Sequence, residues 1–374
     1  MPLKSLRPRL RVRIRPSPGA ECPVFIGRGI LPAVAEILVR MVPAPLYFLV
    51  TDALVARLHG RRLLGRLRAR GLETHLLVVP AGERSKTRAN KHRLEDRMLA
   101  KGGGRDSAVL ALGGGMIGDL AGFTASTYLR GIRFVTLPTT LVAMVDAAIG
   151  GKTAVDHPRG KNLIGAFHQP CAMLADVSVL ETLSEGDFRS GLAEAVKTAV
   201  VGDEALFRRL ERASAAILSR HPEALEDLVT ACCRVKARIV QADEREAGLR
   251  STLNFGHTLG HALEHLSRYR LRHGEAVAIG MVLEARVAEA AGILTSGESR
   301  RIEALLGRFG LPTRVPRGFA AQRILSAASS DKKSRSGEIR YALPKRIGLM
   351  ARRSAGFTFP LDDRLVLSTL ESAG

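Results

Sequence analysis

Short β-rich apolar runs mark the first half of the chain, and long helical periodicities mark the second. Residues 10–15 (Leu-Arg-Val-Arg-Ile-Arg) alternate apolar and basic with period two, which predicts a strand with one solvated face. Apolar runs at 46–50, 74–79, 108–112 and 134–137 predict four more strands. Helix-like stretches separate them, so the strands are expected to be parallel with crossover helices, an α/β layered arrangement. From about Ser184 the period becomes 3.6, and 185–201, 203–219, 222–243, 252–266 and 274–291 predict helices. Ser184 with Asp187 three residues on resembles a capping box and marks a helix start. The expected organisation is an α/β domain over residues 1–183 and a predominantly α-helical domain over 184–374.

The chain has 374 residues, enough for two domains, and its 46% hydrophobic content argues against wholesale disorder. Four cysteines (Cys22, Cys171, Cys232 and Cys233) are too few and too irregularly spaced for a disulfide framework or a four-cysteine zinc site. Cys232 and Cys233 fall in a helical run, where buried thiols are expected, and a reducing cytoplasm fits that usage. The 57 Lys+Arg against 36 Asp+Glu give a net charge of +21. Much of this excess is scattered arginine, such as Arg61, Arg62, Arg66, Arg68 and Arg70. No aromatics are interleaved there to stack on bases, so no nucleic-acid partner is expected. No apolar run approaches the ~18 residues of a membrane span, so no membrane partner is expected either. The basic first 20 residues superficially fit a targeting segment, but the period-two alternation favours a strand.

Gly113-Gly114-Gly115-Met116-Ile117-Gly118-Asp119 follows a predicted strand and precedes a helix-like run from 120 to 128. Gly113, Gly115 and Gly118 have G-x-G-x-x-G spacing, and the strand–glycine–helix context lets backbone N–H groups meet a pyrophosphate. The usual acid at the end of the next strand is missing, because 134–137 runs into Pro138-Thr139-Thr140. A ribose-binding acid must come from elsewhere, and Asp52 or Glu83 is available.

A second constellation lies in the helical half. His257 and His261 sit at i and i+4, on one helix face, and His273 follows in Arg-His-Gly-Glu. Glu194 falls on an otherwise apolar helix face, where an unpaired carboxylate is costly. One carboxylate with two of these imidazoles is a common catalytic zinc set. His265 continues the ladder and reads as a surface residue. Cations gather near glycines in 145–162, including Lys152 and Lys161, where the segment reads as an anion-binding loop. Arg130, Arg250 and the pair Lys332-Lys333 are further cations near these motifs.

Together these residues resemble the 3-dehydroquinate synthases of the sugar-phosphate cyclase family. The matching strings are PAGERSK, GGGMIGDLAGF, TYLRGIRF, LPTTL, GGKTAVDHPRGKNLIGAFHQP, FRSGLAEAVK, ADERE, LNFGHTLGHALE, RHGEAVAIGM and SDKK, in family order from about residue 45 to 350. The resemblance implies an NAD-binding α/β domain and a helical metal- and substrate-binding domain, with zinc or cobalt on Glu194, His257 and His273. His261 then becomes an active-site residue and not a ligand. Arg130, Lys152, Asn162 and one of Lys332 and Lys333 (Lys333 is taken here) are implied as phosphate binders. Asp146, Lys197, Lys236, Glu246, Arg250 and Asn254 are implied as further substrate contacts. Asp52, Glu83, Lys86, Gly113, Gly114, Gly115, Gly118, Asp119, Thr139, Thr140 and Lys161 are assigned to NAD. Thr198, Ala147 and Ala148 depart from residues common in the family without removing a charge.

The implied reaction converts 3-deoxy-D-arabino-heptulosonate 7-phosphate to 3-dehydroquinate and phosphate. It runs by transient NAD-dependent oxidation, phosphate elimination, reduction, ring opening and intramolecular aldol closure. The net change is a lyase reaction of the shikimate pathway, in a cytoplasmic enzyme expected to be a homodimer. Rival readings are cyclases of an aminated analogue or of sedoheptulose 7-phosphate, and metal-dependent polyol dehydrogenases. Arg250, Asn254 and His261 favour a carboxylated substrate, and the phosphate-binding lysines argue against the dehydrogenases.

Overall fold

The structure is a computed structural model that describes residues 10–13, 21–329, 338–354 and 356–372. The chain divides into two compact units. The first holds residues 1–183 and 225–237, the second 184–224 and 238–374.

The first unit is built on a seven-stranded sheet. Its elements in chain order are β1 (Leu10–Arg13), β2 (Glu21–Gly27), α1 (Val34–Met41), β3 (Tyr47–Asp52), α2 (Ala53–Val55), α3 (Arg61–Ala69), β4 (Thr74–Val79), α4 (Arg88–Ala100), β5 (Ala108–Gly113), α5 (Gly115–Thr127), β6 (Arg133–Pro138), β7 (Lys152–His157), β8 (Gly160–Phe167) and β9 (Ala172–Asp176). The sheet order is β1-β2-β9-β6-β5-β3-β4. β1 pairs antiparallel with β2, and every other neighbour in this sheet is parallel. Both faces are covered. Tyr47, Leu49, Leu110 and Leu112 pack on one side with α1 and α3, while Phe48, Val50, Val109 and Ala111 pack on the other with α4 and α5. This double burial is why β3 and β5 read as unbroken apolar runs and not as alternations.

The five expected strands are present, and the α/β reading of this half holds. One expectation is corrected. The cationic stretch at 145–162 is not simply a loop, because Lys152 opens β7 and Lys161 and Asn162 lie in β8, an antiparallel hairpin. Thr153, Ala154 and Val155 bury into the unit and supply the β-forming side chains. The surrounding glycines, which have no side chain to alternate, hid that pattern. β2 and β9 were also not anticipated.

The second unit is mainly helical. It holds α6 (Glu185–Gly202), α7 (Glu204–Leu218) and both ends of α8 (Pro222–Ala242), whose middle belongs to the first unit. There follow α9 (His257–Leu266), α10 (His273–Ala290), α11 (Ser296–Arg308) and α12 (Ala321–Ser329), the two-stranded ribbon β10 (Pro344–Arg346) and β11 (Leu349–Met350), and α13 (Asp363–Ser372). Ser184 caps α6 as expected, its Oγ accepting the Asp187 amide at 3.2 Å. The helix expected at 252–266 begins only at His257. Leu249–Asn254 forms a tighter 3₁₀ turn, and Gly256 at φ +77° breaks the chain between the two. Among the described residues no helix is long and apolar enough to cross a membrane.

Candidate nucleotide and metal sites

In the first unit, β3 and β5 are neighbours although β4 intervenes in sequence, so the strand order reverses between them. Crevices beside such a reversal, at the carboxyl ends of parallel strands, are where open α/β sheets bind ligands. Thr51 pairs with Leu112, which puts Asp52 one register position on, opposite Gly113. Gly113 accepts the Thr139 amide at 2.9 Å, and Thr140 lies against Gly114. Gly114 is the N-cap of α5 and makes no side-chain cap hydrogen bond. Thus Asp52, Gly113, Gly114, Gly115, Thr139 and Thr140 gather at the carboxyl ends of β3, β5 and β6. The Asp52 Oδ1 already accepts the amides of Leu54 and Val55, at 2.9 and 3.0 Å.

A polar cluster stands beside α5. Lys86 is 3% exposed, and its Nζ donates to Asp119 Oδ2 at 2.5 Å and to Asn162 Oδ1. Glu83 lies 3.6 Å from the same ammonium. Burial opposes a charge on Lys86, but Asp119, Glu83 and Asp156 outweigh it and raise its pKa. Asn162, implied as a phosphate binder, therefore sits with residues assigned to NAD. Lys236 from α8 donates to Asp146 through both its backbone and carboxylate oxygens. Arg130 is exposed on a left-handed turn, φ +70°. Lys332 and Lys333 lie outside the described residues.

In the second unit three helices converge. Gly274 donates its amide to Ser190 Oγ at 2.7 Å, so the N-terminus of α10 lies directly on α6. Glu194, one turn further along α6, is completely buried. Its Oε1 lies 3.2 Å from His273 Nε2 and 3.5 Å from His257 Nε2. Ligating atoms of Glu194, His257 and His273 all fall within 4.8 Å of one another. Glu194 Oε2 lies 2.5 Å from Lys197 Nζ but accepts no aligned hydrogen bond. A buried carboxylate oxygen facing two imidazole nitrogens at this spacing suits a divalent cation.

Protonation states in the cluster follow from its protein surroundings. Burial, then the Lys197 charge, push His257 down to about 4, so its imidazole is neutral and has a lone pair to offer. Burial also opposes a charge on His273, but hydrogen bonds to Glu194 and Glu264 push it up to about 10. Burial opposes ionisation of Glu194, yet Lys197 and the histidines hold its carboxyl well below the usual range.

His261 shares the α9 face with His257, their ring centroids 5.2 Å apart, while His265 is exposed. Arg250 is 2% exposed and donates to the Glu244 carbonyl, and Asn254 donates to Glu246 Oε1 at 3.1 Å. Asp243 ties this segment down, accepting the amides of Ala247, Gly248 and Arg250 at 2.9, 2.7 and 2.8 Å. Sequence reasoning missed Asp243, Glu264 and Glu284. Glu284 is fully buried and caps α9 by accepting the Gly256 and Leu259 amides at 2.7 and 3.0 Å. An acid inside an apolar helical run was the available signal, the same one that marked Glu194.

Fold and donor set define a class: a parallel-sheet unit with an open glycine turn, and a helical unit holding a buried Glu–His–His cluster. The chain matches the family models for 3-dehydroquinate synthase, N-terminal over residues 76–190 and C-terminal over 191–334. It is 48% identical over 326 residues to the 3-dehydroquinate synthase of Pelobacter propionicus, covering 87% of this chain and 90% of the relative. It is 49% identical over 305 residues to that of a Synechococcus species, covering 80% and 82%. Among solved structures it is similar to 2-epi-5-epi-valiolone synthase from Streptomyces hygroscopicus with NAD+ and Zn2+ bound. That match has 30% identity and TM-score 0.85, over 96% of this chain and 99% of the other. The chain belongs to the 3-dehydroquinate synthase family.

Proposed function

We propose that this chain converts 3-deoxy-D-arabino-heptulosonate 7-phosphate to 3-dehydroquinate and phosphate, as a carbon–oxygen lyase dependent on NAD and a divalent metal. The observation that carries the reading is the converging Glu194, His257 and His273 donor set in a chain matched to this family over residues 76–334. The domains are read as NAD-binding over 1–183 and metal- and substrate-binding over 184–374. The enzyme is read as cytoplasmic and homodimeric, with a small anionic sugar phosphate and not nucleic acid as its partner.

When bound, NAD supplies a hydride acceptor that is restored within the turnover, and zinc or cobalt supplies a Lewis acid for the alcohol and ketone. Glu194, His257 and His273 would hold the metal. The α5 N-terminus with Gly113, Gly114, Gly115 and Gly118 would take the pyrophosphate, and Asp52 or Glu83 a ribose hydroxyl. Lys86, Asp119, Thr139, Thr140 and Lys161 would complete that cradle. Arg130, Lys152, Asn162 and Lys333 would fix the phosphate that leaves, which lowers the entropic cost of elimination. Arg250 and Asn254 would orient the carboxylate, and Lys197, Lys236, Asp146 and Glu246 the ring hydroxyls. His261 would carry the proton of the hydroxyl being oxidised.

The test is phosphate release from this substrate with NAD and zinc or cobalt, run beside sedoheptulose 7-phosphate. Release from the first substrate alone is expected. Metal-replete protein that releases nothing from it overturns the reading. Preference for sedoheptulose 7-phosphate would move the chain to the valiolone-forming reaction.

A further inference from the structure

His273 stands between two carboxylates. Its Nε2 is 3.2 Å from Glu194 Oε1, and its Nδ1 is 3.3 Å from Glu264 Oε2. Glu264 is 5% exposed. His261, Glu264 and His273 also bring ligating atoms within 4.8 Å of one another, so a second cation-ready cluster shares His273 with the first. A ligating His273 must give up one ring proton, and the neutral imidazole that remains has one lone pair and one N–H, so His273 cannot serve both clusters as a ligand.

The chemistry of the neighbours decides between them. His257 Nδ1 lies 3.2 Å from the Phe255 carbonyl, which can only accept, so its proton sits on Nδ1 and its lone pair on Nε2. That lone pair points toward Glu194, which is wholly buried. The first cluster thus already has two committed donors, and it needs the Nε2 lone pair of His273.

We propose that Glu264 is the positioning residue of His273, accepting its Nδ1–H and thereby turning the Nε2 lone pair toward Glu194 and His257. The second cluster is then an orienting shell for the first and not a separate metal site. A carboxylate behind a ligating histidine fixes its tautomer and ring orientation and strengthens it as a donor. The inference rests on the metal reading above.

The test uses the metal-loaded enzyme, with zinc and cobalt affinity measured by competition with a chromophoric chelator. One metal per chain is expected for the wild type. E264A is expected to weaken affinity about ten- to a hundred-fold. E264Q, whose amide oxygen can accept the same hydrogen bond, is expected to lose less. Equal affinity for E264A and wild type, or equal loss in both variants, overturns the inference. Wild-type protein that takes up no metal overturns the metal reading and this inference with it. The wild type gives an independent readout through histidine-selective 15N labelling of the zinc form. His273 is expected to carry its proton on Nδ1, and a proton on Nε2 overturns the proposal even where a variant fails to fold.

Discussion

Gly274 lies so close to Ser190 that a Cβ on it would stand 2.3 Å from the Ser190 Cα. This contact seats the start of α10 on α6 and brings His273 beside Glu194. Gly274→Ala is expected to pry the two helices apart. Overpacking of this kind costs about 1–3 kcal/mol, and rigid backbone on the far side puts this case at the upper end. Thermal unfolding should report the stability loss, and chelator competition a parallel loss of metal affinity. Unchanged affinity in the destabilised variant would mean that helix spacing does not set the donor geometry.

Glu194→Ala is expected to leave protein with little bound metal and activity lowered about a hundred-fold or more. It also removes the ion-pair partner 2.5 Å from Lys197, which is itself 1% exposed. Breaking a buried pair costs about 3–5 kcal/mol, so the variant should melt earlier even without metal. Chelation of the wild type should abolish turnover without that stability loss being permanent, and zinc or cobalt should restore it.

Asp243 carries the acid dependence of the 243–250 turn. Burial disfavours its charge, but the amides of Arg250, Gly248 and Ala247 and the Arg250 guanidinium hold its carboxyl below the usual range. A carboxyl lowered in the folded state adds stability above its unfolded pKa of about 3.9, and loses it as pH falls through the folded value. The stability gap between wild type and Asp243→Ala should therefore be full at pH 6–7 and shrink below about pH 4. Urea unfolding across that range tests it, with a plateau gap of about 1–3 kcal/mol expected. A gap that persists at pH 2 would assign the effect to packing.

Within the parallel sheet β3, β5 and β6 were readable because they are buried on both faces and so appear as apolar runs, whereas the equally buried β2 and β9 were missed. In the helical half α6, α7, α8 and α10 were readable from period 3.6, while α11, α12 and α13 were not anticipated. The β7–β8 hairpin was not, because Gly150, Gly151, Gly160 and Gly165 interrupt its alternation. The start of α9 was misplaced because the 3₁₀ turn at Leu249–Asn254 carries the same apolar spacing. At the metal cluster, spacing supplied three histidines and one acid without ranking the histidines, and only the family resemblance set His261 apart from the ligands. The closeness of His257 and His273 to Glu194 depends on how α9 and α10 meet α6, which no local pattern encodes. Glu284 stood out as an acid in an apolar run, but its role and that of Glu264 were not legible, since their partners are two backbone amides and a ring nitrogen brought up by packing.

The cysteines are expected to be chemically quiet. Burial pushes Cys22 and Cys233 up to about 12, and Cys171 is also raised by burial. Cys232 is completely buried. At pH 8 almost no thiolate is present at the raised thiols, so a thiol reagent should label the folded protein slowly, Cys171 first. All four should react in denaturant. Rapid labelling of Cys22 or Cys233 in the native protein would mean that the first unit opens locally.

Coenzyme choice should depend on Asp52. Its carboxylate stands at the end of β3, opposite Gly113, and one oxygen already caps the following turn. Asp52→Asn keeps a capping oxygen and removes the charge, which separates fold from recognition. If this carboxylate accepts a ribose hydroxyl, its loss should weaken NAD about ten-fold or more, the worth of one hydrogen bond to a charged group. The same charge repels a 2′-phosphate, so NADP should gain relative to NAD in the variant. Titration of both coenzymes against wild type and variant measures the ratio. A ratio that does not move would hand the role to Glu83, which stands 3.6 Å from Lys86 in the neighbouring cluster.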